Sequence, residues 1–229
     1  MLPELKIFIG YDSREKIAYH VLSQSIIENS SIPVSINPIN LKNLKKIYKR
    51  KKANIHSTEF SISRFLTPYL SNYKGYSLYL DCDFIVLGDI ADLLRIIKRN
   101  KKNSVWCVKH QDYSKSFKNK SKFMSEKQLP YKNKNWSSFM IFNNERCKIL
   151  TPKLIGKASG LYLHQFKWTN KNKIGALLSN WNVLVGEQKI PKKVKAIHYT
   201  LGGPYFPKYK NCDGSKHWFK YKKILMKLG

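Results

Sequence analysis

Residues 76–90 read YSLYLDCDFIVLGDI. Tyr76 to Asp81 is β-rich and mostly apolar, short for a helix and dense enough for a strand buried at the centre of a sheet. Apolar character resumes from Phe84 to Leu87, before a turn at Gly88-Asp89. Asp81, Cys82 and Asp83 interrupt the run. Residues i and i+2 of a strand point the same way, so both carboxylates face one direction at the strand's carboxyl end. The chain has 14 acidic residues against 43 basic ones, and two of the 14 stand here. Ionised carboxylates buried without a partner cost several kcal/mol. A shared hard divalent cation removes that cost. Such a cation can also bridge a diphosphate and offset the charge on a departing nucleoside diphosphate. The plainer alternatives are a helix cap and a pair satisfied by lysines.

Outward from this stretch, the apolar pattern alternates strands with helices. Toward the N-terminus, Lys6–Tyr11 reads as a buried first strand. Ser13–Asn29 reads as a helix capped by Asp12 or Ser13, with Ile17, Val21, Leu22, Ser25 and Ile26 on one face. Pro33–Leu41 is a strand with an irregular exit, 42–54 a basic helix or loop, and Ser61–Tyr69 a helix ended near Thr67 or kinked at Pro68. Toward the C-terminus, Ile90–Arg99 is a helix capped by Asp89, and Val105–Val108 and Phe139–Phe142 are short strands. Residues 111–135 are polar, Lys-rich and aperiodic, the pattern of a functional loop that orders over a ligand. Cys147–Gly175 is helical or irregular, and Lys195–Tyr199 is a strand running into Leu201-Gly202-Gly203-Pro204. This order predicts an α/β fold: a Rossmann-like, mostly parallel central sheet flanked by helices, with ligands at the strands' carboxyl ends. It divides into one domain over 1–210 and a basic C-terminal tail over 211–229, amphipathic from Ser215 to Leu228.

Further residues carry chemistry. His198 ends the strand KAIHY, and neutral imidazole is a good ligand for a manganese-like ion; a satisfied core histidine is the alternative. Gly202 and Gly203 let backbone N–H groups approach phosphate oxygens. Gly10-Tyr11-Asp12 closes the first strand, where Tyr11 can stack on a base and Asp12 can bond base or ribose, or simply cap a helix. Arg64 lies in the mostly apolar SISRFLTPY and needs an anionic partner: a diphosphate, the Asp81 region, or a structural ion pair. Glu187 follows Trp181-Asn182 and can face an acceptor hydroxyl as a base, or be an exposed loop acid.

The 229-residue chain is 42% hydrophobic and 13% aromatic, with a formal net charge of +29. The charge suits a nucleic-acid binder, an enzyme at an anionic membrane or glycan surface, or the drift of an AT-rich genome. The basic residues are spread along the chain without an Arg-aromatic rhythm, so no nucleic-acid partner is expected. Cys82, Cys107, Cys147 and Cys212 show no CxxC spacing and read as free thiols. The N-terminus has no basic n-region or cleavage site, and no apolar stretch reaches spanning length. The expectation is a cytoplasmic protein, with peripheral contact at the inner face of the membrane.

Residues 78–90, LYLDCDFIVLGDI, with Tyr11-Asp12, Arg64 and His198 in that order, resemble the family 8 glycosyltransferases, the glycogenin and lipopolysaccharide galactosyltransferase group. The resemblance covers roughly residues 5 to 207, and Trp136–Asn143 is similar to that family's Asn-Ala/Ser-Gly-Val-Met strand. It implies a GT-A fold and Mn²⁺ (or Mg²⁺) on Asp81, Asp83 and His198. It also implies a nucleotide-sugar donor, a UDP-sugar, held by Tyr11, Asp12, Arg64, Asp81, Cys82 and Gly203. Asn135, Trp136, Ser137, Ser138 and Trp181 are assigned to sugar and acceptor, and Asp83, Gln165 and Glu187 to catalysis. The implied reaction is hexose transfer, with retention, to a glycan or lipid-linked acceptor, in polysaccharide biosynthesis. Trp136 stands where that family has a donor-contacting Asn, beside Asn135. His164-Gln165-Phe166 replaces a common Asp-Gln-Asp, and the stretch His198–Tyr205 lacks the family's Lys, with Lys208 following. The competing classes are a nucleotidyltransferase, which usually carries a Gly-rich basic loop where this chain has GYDSREKIAYH, and a basic nucleic-acid-binding protein.

Overall fold

In a computed structural model, which describes residues 5–50, 58–111 and 133–227, the nine strands are Leu5–Gly10 (β1), Ser35–Ile39 (β2), Tyr76–Leu80 (β3), Phe84–Val86 (β4), Val105–Cys107 (β5), Phe139–Asn143 (β6), Ile174–Ala176 (β7), Val183–Leu184 (β8) and Ala196–His198 (β9). Most of the expected 111–135 loop lies outside the described residues. Six strands form a mixed, mostly parallel sheet in the order β2-β1-β3-β6-β5-β7. The β1–β2, β1–β3 and β5–β7 pairs are parallel, and β6 runs antiparallel to both neighbours. β3 sits between β1 and β6, with Ser77, Leu78, Tyr79 and Leu80 buried.

The apolar residues that resume at Phe84 belong to a different sheet from β3. The chain leaves the large sheet at Asp81, and β4 enters a second sheet of order β4-β9-β8. The Asp81 N–H still bonds the Ser138 carbonyl beside β6 (2.9 Å), while the Asp83 carbonyl accepts from the Tyr199 N–H beyond β9 (2.9 Å). Asp-Cys-Asp is therefore the seam between two sheets. Strands β7 and β8, only three and two residues long, were not anticipated, because their pairing partners are distant in sequence.

The helices are Lys16–Glu28 (α1), Thr67–Leu70 (α2), Ala91–Arg99 (α3), Pro152–Lys157 (α4), Gly160–His164 (α5) and Ser215–Leu225 (α6). α1 starts at Lys16 without a side-chain cap, so the expected Asp12 or Ser13 cap is corrected. The Asp12 carboxylate is taken instead by Arg14 and by the backbone N–H of Glu59. Its buried face is Ala18, Val21, Leu22, Ser25 and Ile26, with Ile17 only half-buried. Pro68 neither ends nor kinks a helix. Residues Ser63–Leu66 form a 3-10 turn and Pro68 lies in the first turn of α2, where its missing N–H costs nothing. Asp89 does accept from the Ala91 N–H at the start of α3 (2.9 Å).

α6 lies against α1 through Trp218 and Tyr221, which join Val21, Ile85, Val185, Ile197 and Tyr199 in a second apolar cluster. Burying two such rings contributes roughly 1.5–3 kcal/mol each. The Asn29 amide donates to Tyr221 Oη (2.6 Å), and Tyr199 Oη donates to the Gly214 carbonyl (2.9 Å). All four cysteines are free thiols, three of them buried.

Candidate metal centre

The seam gathers three side chains from two sheets. Asp81 follows β3, Asp83 precedes β4 and His198 ends β9. Ligand atoms of the three lie within 4.8 Å of one another. His198 Nε2 is 3.3 Å from Asp83 Oδ1, and the imidazole stacks on Phe84 with centroids 4.2 Å apart. Asn182, buried between β8 and the Trp181 turn, fixes the tautomer. Its amide donates to Ser138 Oγ (3.0 Å), and that hydroxyl donates to the Asn135 carbonyl (2.7 Å). Asn182 Oδ1 is thereby turned toward His198 Nδ1 (3.0 Å), so Nδ1 carries the proton it donates. The Nε2 lone pair then faces a carboxylate oxygen. Two acceptors at that distance need a positive charge between them. An extra proton satisfies His198 and Asp83 alone, whereas a divalent cation satisfies Asp81 as well. Two carboxylates and one neutral imidazole are a fitting donor set for a divalent cation.

Asp81 is held from the other side. Arg64 Nη1 is 3.0 Å from Asp81 Oδ1 and donates to the Ser137 carbonyl (2.9 Å). Its guanidinium lies between the rings of Phe60 and Tyr79, and Tyr79 Oη donates to Asp81 Oδ1 (2.8 Å). Gly10 makes this possible: a Cβ there would sit 2.4 Å from Phe60 and 2.6 Å from Tyr79 Oη. Burial raises the Asp81 pKa, Arg64 opposes the rise and Asp83 adds to it.

At the end of β1, the Tyr11 ring packs edge-on against Tyr19. Burial disfavours the Asp12 carboxylate, yet hydrogen bonds from the Arg14 side chain, its N–H and that of Glu59 hold its pKa below the usual range. Two titratable groups near the centre escaped the sequence reading. Glu15 accepts from Tyr205 Oη (2.5 Å) and, with Asp83 near, burial and that charge push its pKa up to about 7. His110, at the end of the segment after β5, is buried with Nε2 unpartnered among the described residues, and burial, with His198 second, lowers its pKa to about 4. A glutamate beside a helix start reads as an ordinary first-turn acid; its partner Tyr205 is 190 residues away. His110 borders an aperiodic stretch that gave no signal.

Residues 133–138, with the end of α5 behind them, lie beside Asp81. Asn135 adopts a left-handed conformation (φ 64°), Ser137 Oγ bonds His164 Nδ1 (2.7 Å), and the Gln165 carbonyl accepts from the Asn133 amide (3.5 Å). Trp136 Nε1 donates to the His110 carbonyl (3.0 Å). Asn135, Ser137 and Ser138 thus reach the centre through Asn182, Arg64 and the Asp81 backbone. Cys82 is buried, with burial holding its thiol pKa well above normal. Trp181 lies in the core against Phe139 and beneath Lys195. Glu187 sits in the turn after β8, its N–H bonded to the Leu184 carbonyl; among the described residues no contact joins it to the three ligands. Gly203 is buried in the turn after β9, its carbonyl accepting from the Phe206 N–H (3.0 Å).

No protein-family model matches the chain. Arabidopsis thaliana Protein CDI is 41% identical over 222 residues, which cover 93% of this chain and 84% of that protein. Among solved structures, the WbbM bifunctional glycosyltransferase is similar at a TM-score of 0.68 and 15% identity, over 96% of this chain and 50% of that one. The glycosyltransferase GlyE of Streptococcus pneumoniae TIGR4 is similar at 0.62 and 14%, over 97% and 62%. The galactosyltransferase LgtC, solved with donor and acceptor sugar analogs, is similar at 0.58 and 14%, over 98% and 97%. This chain therefore spans half the length of WbbM and under two thirds of GlyE. At such identities the likeness establishes the fold, which is that of the GT-A glycosyltransferases, including the family 8 type.

Proposed function

The chain belongs to the family of Arabidopsis thaliana Protein CDI, and from its fold and its three-ligand centre we propose that it is a metal-dependent glycosyltransferase. It moves a hexose from a nucleotide-diphosphate sugar, a UDP-sugar, to a glycan or lipid-linked acceptor. The observation that carries this reading is the convergence of Asp81, Asp83 and His198, with the His198 tautomer fixed by Asn182, at the seam of a GT-A fold. Mn²⁺ or Mg²⁺ on these residues would supply charge neutralisation for the departing diphosphate.

This chain's own residues do the rest. Arg64, clamped between two rings, orients Asp81 and adds a fixed positive charge near the diphosphate. Tyr11 and Asp12 offer a ring face and a carboxylate at the nucleotide end of β1. The buried turn at Gly203 brings backbone close to where phosphates lie. Asn135, Trp136, Ser137, Ser138 and Gln165 line the sugar and acceptor side. Retention is supported by the acids present: among the described residues near the centre, Asp12 is committed to Arg14 and Glu59, and Glu15 to Tyr205. Each carboxylate is already engaged by these donors, which leaves the departing diphosphate as the proton acceptor.

Release of nucleoside diphosphate from UDP-, GDP- and CDP-sugars, with Mn²⁺ and with chelator, tests the proposal. The expected result is metal-dependent release from one donor class, with the freed sugar keeping its anomeric configuration by NMR. No release from any donor in the presence of metal and candidate glycan acceptors would overturn it.

A further inference from the structure

Every exposed residue from Ser215 to Lys227 is a lysine or Met226. Lys216, Lys220, Lys223 and Lys227 follow i, i+4, i+7 and i+11 spacing, which puts them on one line along α6 and the turn after it. The line is about 16 Å long and lies on the side opposite Trp218 and Tyr221, which are buried, with the Lys220 ammonium reaching over the Tyr221 ring, 5.2 Å from its centroid. None of the four takes part in an ion pair among the described residues. Other long helices differ. The exposed residues of α1 mix Lys16, His20, Ile27 and Glu28. On α3, Asp92 pairs with Arg95 and with Lys195. The exposed residues of α3 are Arg95, Lys98 and Arg99, with Arg95 held by Asp92; of the three longer helices, α1, α3 and α6, only α6 has no acidic residue to break its cationic line.

We propose that this face of α6 docks on an anionic lipid surface. The stripe is straight and flat, made of point-charge ammonium groups on flexible stems, which suit diffuse lipid headgroups better than a shaped ligand. A nucleic acid fits less well: the α6 aromatics are turned inward, and no exposed ring accompanies the lysines for base stacking. Met226, 64% exposed beside Lys223 and Lys227, adds one apolar contact. The docked helix would not be a loose tether. Tyr199, the residue after His198, donates to the Gly214 carbonyl at the start of α6, so the surface that holds α6 also holds β9 at a set height.

Cosedimentation of the full chain with phosphatidylcholine vesicles, with and without phosphatidylserine, tests this. Binding is expected only to the anionic vesicles, falling steeply with added salt. Replacing Lys216, Lys220, Lys223 and Lys227 by Gln should weaken partitioning by roughly a hundredfold or more while leaving the thermal midpoint unchanged; the double variant Lys220→Gln/Lys223→Gln should fall between. Replacing Lys98, Lys101, Lys148 and Lys153 by Gln removes the same charge elsewhere and should cost far less. Equal losses from the two quadruple variants would reduce the stripe to net charge and overturn the proposal. So would duplex DNA that binds the chain through the same four lysines more tightly than vesicles do.

Discussion

Two aspartate–arginine pairs stand in opposite settings. Arg95 and Asp92 meet at 2.7 Å on the outer face of α3, with the arginine side chain 77% exposed. Arg64 and Asp81 meet at 3.0 Å at the end of β3, with 8% and 11% of their side chains exposed. The surface pair is shorter, yet water and salt screen it, and such pairs contribute about 0–1 kcal/mol. The buried pair has no such screening, and each partner is committed: Arg64 to the Ser137 carbonyl and two rings, Asp81 to Tyr79 and its own backbone bond. Distance alone therefore ranks the two wrongly. The difference extends to the whole charge pattern. A few acids are buried in the centre with specified partners, while the lysine excess lies outside, where only its arrangement on a face can carry meaning.

Removing one partner from each pair should separate the two settings most widely. Arg64→Ala should lower stability by about 3–5 kcal/mol, and Arg95→Ala by no more than about 1 kcal/mol, read as urea midpoints at constant slope. Because an uncompensated Asp81 is the cause, Arg64→Met combined with Asp81→Asn should recover much of the loss. Equal, small effects from both arginine variants would mean that the buried pair is solvated like the surface one.

A smaller effect concerns Glu15 and His110. Glu15 has a folded pKa of about 7 against 4.5; folding takes up a proton, so its term is favourable below pH 4.5 and is lost as pH rises through 7. His110 has a folded pKa of about 4 against 6.5; folding releases a proton, so its term is full above pH 6.5 and is lost as pH falls toward 4. Each slope amounts to at most about 3 kcal/mol, and in metal-free buffer they largely cancel between pH 4.5 and 6.5. Glu15→Gln should leave stability rising with pH across that window, and His110→Gln should leave it falling. Parallel profiles for wild type and both variants would show both groups to be hydrated.

Much of the fold was legible. LYLDCD announced a central strand, and the alternation of apolar runs gave an α/β order with β1, β3, β6 and β9 in place. Strand direction was not legible: nothing in FMIF says that β6 runs antiparallel to both neighbours, because period-2 patterning carries no sign. The switch of sheets at Asp81 was hidden for the same reason. Of the centre, Asp81, Asp83 and His198 could be named because carboxylates and imidazole are scarce and sit at strand ends. Asn182 could not. It is one Asn among many in this chain, and its role exists only through His198 and Ser138, which are 16 and 44 residues away. The α1 cap was not legible, because Arg14 and the Glu59 N–H claim the Asp12 carboxylate, whereas Asp89 does accept from the Ala91 N–H as its sequence position suggests.

The proposed role of Asp81, Asp83 and His198 is to hold a cation for a nucleotide. Thermal unfolding with UDP, GDP and CDP, each with and without Mn²⁺, on the wild type and on Asp83→Ala, tests it most directly. A rise of several degrees is expected with one nucleotide only when Mn²⁺ is present, and none in the variant. A nucleotide shift that ignores metal, or that persists in Asp83→Ala, would contradict it.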